Sequence, residues 1–169
     1  GISPQTDLYY SDCSLHEVGF PNDYSILEMR LRCTDDGQHP SEGTRGWGFY
    51  DGSTWNPNAA WFWCSCQHSP EGINSFGVNI FYRGQLVYVK TLPGIDITQW
   101  HTYRVEWRSS GCKFYVDGAL VAKTFLRPSG PLRIEIWIDN RPVMPDGTLQ
   151  TQPVEIEQGM QIDWVKLSK

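Results

Sequence analysis

Two carboxylates and a tryptophan alternate along one predicted strand in the last third of the sequence, where residues 131–140 read PLRIEIWIDN. Side chains alternate between the two faces of a strand. The face predicted to point into the core carries Leu132, Ile134, Ile136 and Ile138. The opposite face carries Arg133, Glu135, Trp137 and Asp139. A flat indole flanked by polar groups suits a ligand, so we interpret this second face as a binding face. The alternative is a Trp that only covers neighbouring side chains.

Glu135 and Asp139 are the residues of this face that could do acid/base chemistry. A carboxyl group beside an indole is partly desolvated, which raises its pKa towards the range in which a general acid works. We therefore predict Glu135 and Asp139 as candidate catalytic residues. Arg133 and Trp137 are candidate ligand-binding residues beside them.

Three earlier segments also place polar or aromatic side chains at alternating positions, which is typical of strands. They cover residues 23–33, 45–51 and 59–66. Their candidate ligand-binding residues are Glu28, Arg30, Trp47, Asp51, Trp61 and Trp63. For 59–66 the alternation leaves open which side faces the core. We expect one concavity, built by at least three strands, to be lined by Glu28, Arg30, Trp47, Asp51, Glu135, Trp137 and Asp139.

The composition indicates a single all-β domain over residues 1–169. The chain has 169 residues, 16 Gly and 11 Pro, and no long run at helical spacing. A chain of this length can bury about two thirds of its unfolded surface without disulfides or metals. Residues 1–22 show no clear pattern and are predicted to be an irregular segment that could pack as a lid or an edge strand.

Charge and hydropathy narrow the range of partners. The formal net charge of −5 opposes nucleic-acid binding, which depends on clustered Lys and Arg. No stretch is apolar over the length of a membrane span, so we expect a soluble protein without a membrane partner. The chain begins with Gly rather than Met, and its localisation does not follow from the sequence.

Five cysteines leave at least one without a disulfide partner. Cys64, Cys66 and His68 alternate, which permits a metal site as one interpretation. Alternate residues on a flat strand lie about 6 to 7 Å apart, too far for three ligands to converge on one zinc ion. We therefore predict reduced thiols that pack as small hydrophobic groups, no metal and no cofactor.

The second half of the sequence has the most regular strand pattern. In residues 100–108 the alternation points Tyr103, Val105 and Trp107 inward. Hairpins are predicted at Arg83-Gly84 and, more strongly, at Asp117-Gly118. About ten strands joined by short loops favour a two-layer antiparallel β-sandwich.

Residues 99–107 (QWHTYRVEW), 114–118 (FYVDG) and 160–167 (MQIDWVKL) resemble segments of the concanavalin A-like jelly rolls of glycoside hydrolase family 16. The resemblance covers roughly the C-terminal half and implies a jelly-roll fold. The family carries its catalytic carboxylates in a Glu-x-Asp-x-Glu motif. Here the corresponding stretch is AAWFWC, residues 59–64, which has no carboxylate. Glu135-Ile-Trp-Ile-Asp139 imitates the spacing of the motif in a later strand.

Three functions remain open from the sequence. The first is a module that binds a ligand, a carbohydrate above all, on an aromatic and carboxylate-lined concave face. The second is an enzyme in which Glu135 or Asp139 transfers protons on a glycan or a small hydrophobic metabolite. The third is a structural or interaction domain whose exposed aromatic residues are covered by a partner.

Overall fold

The computed structural model describes residues 12–16, 25–34, 43–53, 55–65, 75–141, 151 and 157–169, which form strands and connecting turns. Within these ranges the strands are β1 (Asp12–His16), β2 (Ile26–Cys33), β3 (Thr44–Tyr50), β4 (Ala59–Ser65), β5 (Ser75–Tyr82), β6 (Gln85–Thr91), β7 (His101–Arg108), β8 (Gly111–Val116), β9 (Ala119–Thr124), β10 (Arg133–Asp139) and β11 (Met160–Ser168). No helix in the described part of the chain is long and apolar enough to cross a membrane.

The strands form two antiparallel sheets. The six-stranded sheet has the order β1-β10-β3-β4-β5-β6, and the five-stranded sheet has the order β11-β2-β7-β8-β9. The predicted all-β, two-layer antiparallel sandwich is confirmed. Residues 1–22 are not irregular throughout, because β1 pairs with β10 at the edge of the six-stranded sheet. Backbone pairing with β10 makes residues 12–16 an edge strand, which is one of the two arrangements expected for this segment.

Both predicted hairpins are present and have the same turn geometry. Arg83 and Gly84 have φ of 49° and 80°, and Asp117 and Gly118 have the same pair of values. Two consecutive left-handed residues define a type I′ turn, whose twist matches that of the flanking strands. These turns fix the pairing of β5 with β6 and of β8 with β9.

The core lies between the two sheets and contains the side chains that the alternation assigned to it. Ile134 and Ile136 of β10 pack in one cluster with Tyr103 and Val105 of β7. Ile138 is buried next to Met160. Complete burial of an aliphatic or aromatic side chain stabilises the fold by about 1.5–3 kcal/mol.

Trp47 lies in this core and not in a ligand site, which corrects the prediction from the sequence. Its side chain is 0% exposed. The indole packs against Phe62, Phe76 and Tyr103, with ring centroids 6.1, 5.7 and 4.7 Å away. The cause is the orientation of β3, which turns its large aromatic residues inward and its glycines outward.

Cys112 of β8 packs in the core as a small hydrophobic group, as predicted for the buried thiols. It forms no disulfide, and Cys33 and Cys64 are buried as well. Burial raises the pKa of the Cys112 thiol to about 12. Because the thiolate is the reactive form, we expect iodoacetamide at about pH 8 to leave Cys112 unmodified in the folded protein and to alkylate it in denaturant. Peptide mass spectrometry distinguishes the two states, and rapid labelling of native Cys112 would contradict this assignment.

Candidate functional site

The outer face of the six-stranded sheet brings together a group of aromatic rings, which we call the aromatic face: Tyr50, Trp61, Phe81 and Trp137. The ring centroids of Trp61 and Trp137 are 4.5 Å apart. Tyr50 and Phe81 contact the same indole at 5.6 and 5.8 Å. Such tilted aromatic contacts add about 0.5–1.5 kcal/mol each beyond the area they bury. The strands β3, β4, β5 and β10 thus provide one continuous aromatic surface.

Two glycines of β3 allow the indoles of β4 and β10 to meet. Gly46 pairs with Trp137, and Gly48 pairs with Trp61. A Cβ atom at Gly46 would overlap the indole of Trp137, and one at Gly48 would overlap the backbone of Trp61. The two glycines therefore accommodate the protein's own aromatic side chains.

A chain of hydrogen bonds fixes the orientation of Trp137. Its Nε1–H donates to Thr44 Oγ1 at 3.1 Å, and the Thr44 hydroxyl donates to Asp139 Oδ2 at 3.0 Å. Asp139 Oδ1 accepts the backbone N–H groups of Thr44 and Arg141 at 3.0 and 2.9 Å. Burial raises the pKa of Asp139, and these hydrogen bonds oppose the rise. Both carboxylate oxygens are engaged, so Asp139 acts here as a positioning residue.

Glu135, Arg133 and Tyr50 form a charged margin beside the aromatic face. Burial raises the pKa of Tyr50, the charges of Asp51 and Glu135 raise it further, and Arg133 lowers it. The Tyr50 hydroxyl donates to the carbonyl oxygen of Ser53 at 2.8 Å. Arg133 and Glu135 point outward from β10 at positions that pair with Tyr50 and Gly48. The predicted outward face of β10 therefore borders the aromatic face.

Trp63 and Asn79 extend this surface but are almost completely covered. Trp63 is 8% exposed and Asn79 is 3% exposed. Both line a cavity of about 10 Å³, roughly the space of one water molecule. Asn79 Oδ1 accepts no hydrogen bond from the described residues. A single buried water would satisfy it, so we interpret this corner as part of the scaffold.

Trp61 is accessible where Trp63 is not. Its ring is half-buried, and its Nε1–H has no hydrogen-bond acceptor in the described ranges. An indole N–H that is buried without an acceptor costs stability unless a ligand or water accepts its hydrogen bond. Trp61 therefore offers a partly exposed, flat apolar surface, whereas its Nε1 atom lies beneath that surface.

Two further residues predicted to share this site lie elsewhere, which corrects the expectation of a single concavity. Glu28 and Arg30 belong to β2 and point outward from the five-stranded sheet, on the opposite side of the molecule. Arg30 forms an ion pair with Asp163 at 2.6 Å, and Glu28 lies 3.9 Å from Arg104. Asp51 follows β3 close enough to Tyr50 for its charge to raise the pKa of the phenol, and it accepts hydrogen bonds from Ser53 N–H and the Asn58 amide.

The sequence did not identify Tyr50 and Phe81 as members of the site. Tyr50 directly follows Phe49, so its side chain lies on the same face of β3 as Gly46 and Gly48. Gly46 and Gly48 carry no side chain, so no aromatic pattern marks this face of β3 in the sequence. The signal was available in the alternation itself, since a strand that buries Trp47 and Phe49 must turn Tyr50 outward.

No metal centre is present among the side chains that the structure describes: no three His, Cys, Asp or Glu residues converge there. The predicted alternative of a site at Cys64, Cys66 and His68 includes two residues outside the described ranges.

The family profile of Glycosyl hydrolases family 16 matches residues 70–166, more than half of the chain. No curated protein matches significantly. Solved structures with the same fold include a β-glucanase of Bacillus licheniformis, with 18% identity over 87% of this chain and 67% of that one (TM-score 0.63). A protein described with endo-acting O-glycanases of the human gut microbiota has 19% identity over 92% and 73% (0.60).

An immunostimulatory antigen and pseudo β-1,3-glucanase of Mycobacterium tuberculosis has 15% identity over 91% of this chain and 67% of its own (TM-score 0.59). The chain thus spans about two thirds to three quarters of the length of these three proteins. Their identity is low, so they show the jelly-roll fold and not a shared activity. By the match of the family profile, the chain belongs to glycosyl hydrolases family 16.

Proposed function

We propose that this chain binds a carbohydrate on the aromatic face without hydrolysing it. The observation that carries the proposal is the pair of packed indoles, Trp61 and Trp137, 4.5 Å apart on the outer face of the six-stranded sheet. A sugar ring has an apolar face that packs on an indole, and hydroxyl groups at its rim that need polar partners. The charged side chains of Glu135 and Arg133, at the margin of the aromatic face, are such partners.

The outward positions of β4 argue against the hydrolysis that is usual in the family. Residues 59–64 correspond to the stretch in which the family carries its Glu-x-Asp-x-Glu motif. The outward positions of β4 are instead occupied by Ala59, Trp61 and Trp63. Hydrolysis of a glycosidic bond requires a pair of carboxylates that flank the bond. Aromatic rings in their place increase the surface available for binding and remove the proton donor and the nucleophile.

An enzyme that uses Glu135 is the second candidate, and one observation favours it. Glu135 lies near enough to Tyr50 for its charge to raise the pKa of the phenol, so it lies at the margin of the aromatic face. Asp139 is a poorer candidate because its two oxygens already accept hydrogen bonds from Thr44 and Arg141. A small hydrophobic metabolite remains an alternative ligand for such a site.

Isothermal titration with β-glucan and β-galactan oligosaccharides, and with small hydrophobic metabolites, tests the binding proposal. Trp61→Ala should weaken glycan binding by about 2 kcal/mol or more, roughly thirtyfold in Kd, because a central Trp dominates the energy of such contacts. Trp61→Phe keeps an aromatic ring at this position and should therefore weaken binding less than Trp61→Ala. Trp164→Ala is the matched control, since it removes a half-buried Trp from β11 in the other sheet. Equal affinity of wild type and Trp61→Ala would refute the proposal.

Product analysis of the same mixtures distinguishes binding from catalysis. We expect no new reducing ends from the wild type. If products appear and Glu135→Gln lowers their rate by about 10² or more while glycan affinity persists, the enzyme is the correct function.

A further inference from the structure

A cationic pocket lies on the outer face of the five-stranded sheet, away from the aromatic face. Its volume is about 180 Å³, and its charged residues are Glu106, Arg108, Lys113 and Lys123. Three cations and one carboxylate leave a local net charge of +2, whereas the whole chain has a net charge of −5. Pockets for complete drug-sized ligands begin near 300 Å³, so this one suits a single charged group on a longer ligand.

The carboxylate of Glu106 does not neutralise the pocket. Its Oε1 accepts from Arg104 at 2.6 Å, which is the shortest of its ion pairs in the described part of the chain. The Arg108 and Lys113 nitrogens are 3.8 and 3.9 Å from its Oε2, beyond hydrogen-bond distance. Lys123 makes no ion pair with any described residue. Glu106 is therefore mainly the partner of Arg104 and makes longer ion pairs with Arg108 and Lys113, which leaves Lys123 as the lining cation without an ion pair to a described residue.

Strand register places two of these cations side by side. Lys113 of β8 pairs directly with Lys123 of the edge strand β9. Directly opposed side chains have Cβ atoms about 4.5–5.5 Å apart, and like charges at that distance destabilise the pair. An anion bound between the two ammonium groups would remove this repulsion.

An exposed aromatic ring borders the pocket. Phe125 follows β9, lines the pocket and is 84% exposed. A ring that contributes so little to the core gives no stability by burial, and it offers a flat apolar surface beside the cations. Anionic charge and an apolar face occur together on an acidic sugar unit. Inorganic anions lack the apolar face.

From the cations, the paired lysines and Phe125, we infer a second binding site, specific for the carboxylate or sulfate group of an acidic glycan. Lys113 and Lys123 hold the anionic group, Arg108 contributes further charge, and the sugar ring packs on Phe125. This site is independent of the aromatic face, because it lies on the other sheet and uses other residues.

Titration at low salt with an oligogalacturonate and with a sulfated galactan oligosaccharide tests the inference. We expect Lys123→Gln to weaken binding about tenfold, the effect of one charge-assisted hydrogen bond. Lys166→Gln is the matched control: it removes the same charge from an exposed lysine on β11, which pairs with Glu28 at the other side of the same sheet. Phe125→Ala should also weaken binding and leave the melting temperature unchanged.

The preference between the two oligosaccharides distinguishes a carboxylate ligand from a sulfate ligand. Affinity should fall with salt for the wild type and less steeply for Lys123→Gln. Trp61→Ala should leave this binding unchanged, so loss of one site is separable from loss of the other. Failure of both acidic oligosaccharides to bind, or equal weakening by Lys123→Gln and Lys166→Gln, would overturn the inference.

Discussion

Replacing Trp47 by alanine should lower the free energy of unfolding by about 3–5 kcal/mol, a large part of the stability of a domain of this size. The indole is 0% exposed and contacts rings from both sheets, among them Phe62 and Tyr103. Its removal leaves a cavity that the facing sheets cannot close without moving. Urea denaturation monitored by circular dichroism measures the change, with midpoint and slope compared with the wild type.

Trp55→Ala is the matched control for this substitution. Trp55 is 88% exposed in the turn after β3, so its truncation should change stability by less than about 0.5 kcal/mol. Trp47→Phe should cost less than Trp47→Ala, because it retains a ring and removes a buried N–H that has no hydrogen-bond partner among the described residues. If Trp47→Ala and Trp55→Ala had the same stability, the assignment of Trp47 to the core would be wrong.

The strands of the second half could be predicted because local pattern and final structure agree. β7 and β10 alternate cleanly, and their apolar residues are buried as expected. The turns at Arg83-Gly84 and Asp117-Gly118 join neighbouring strands, so their chemistry alone fixes the pairing. Local sequence patterns are sufficient where the strands that pair are neighbours in the sequence.

The site was predicted less well, because alternation shows which residues share a face of a strand but not to which sheet the strand belongs. Glu28 and Arg30 have the expected parity on β2, but β2 lies between β11 and β7 in the other sheet. That order depends on pairing between distant parts of the sequence, which no local pattern records. In β3 the sequence predicted Trp47 on the ligand side, whereas the strand buries Trp47 and Phe49 and turns Tyr50 outward.

The sequence predicted correctly which residues lie on the outward face of β10. The structure revises the chemical role of Asp139 among them. Arg133, Glu135, Trp137 and Asp139 do point outward from one strand. Asp139, however, lies at the end of that strand, where the backbone N–H groups of Thr44 and Arg141 need an acceptor. A sequence shows that a carboxylate is present but not which donors surround it.

Asp139→Ala should therefore destabilise the protein and weaken glycan binding, whereas Asp139→Asn should do little of either. Alanine leaves two backbone N–H groups and the Thr44 hydroxyl without their acceptor, at a cost of about 2–4 kcal/mol. It also releases Thr44, which holds the Trp137 indole. Asparagine keeps an acceptor for both N–H groups, and its amide can donate to the Thr44 oxygen. Denaturation and glycan titration of both variants measure these effects.

The pH dependence of stability, compared between the wild type and Asp139→Asn, gives an independent test of the positioning role of Asp139. Burial raises the pKa of Asp139 in the folded state, so protonation of this carboxyl favours folding. The wild type should thus lose stability relative to Asp139→Asn as pH rises from about 4, the usual pKa of Asp, through the raised value. A catalytic Asp139 predicts something different: a glycan-cleaving activity in the wild type that asparagine abolishes although fold and affinity persist. Observation of that activity would return Asp139 to the role of acid or base and make the hydrogen bonds to Thr44 and Arg141 a means of tuning it.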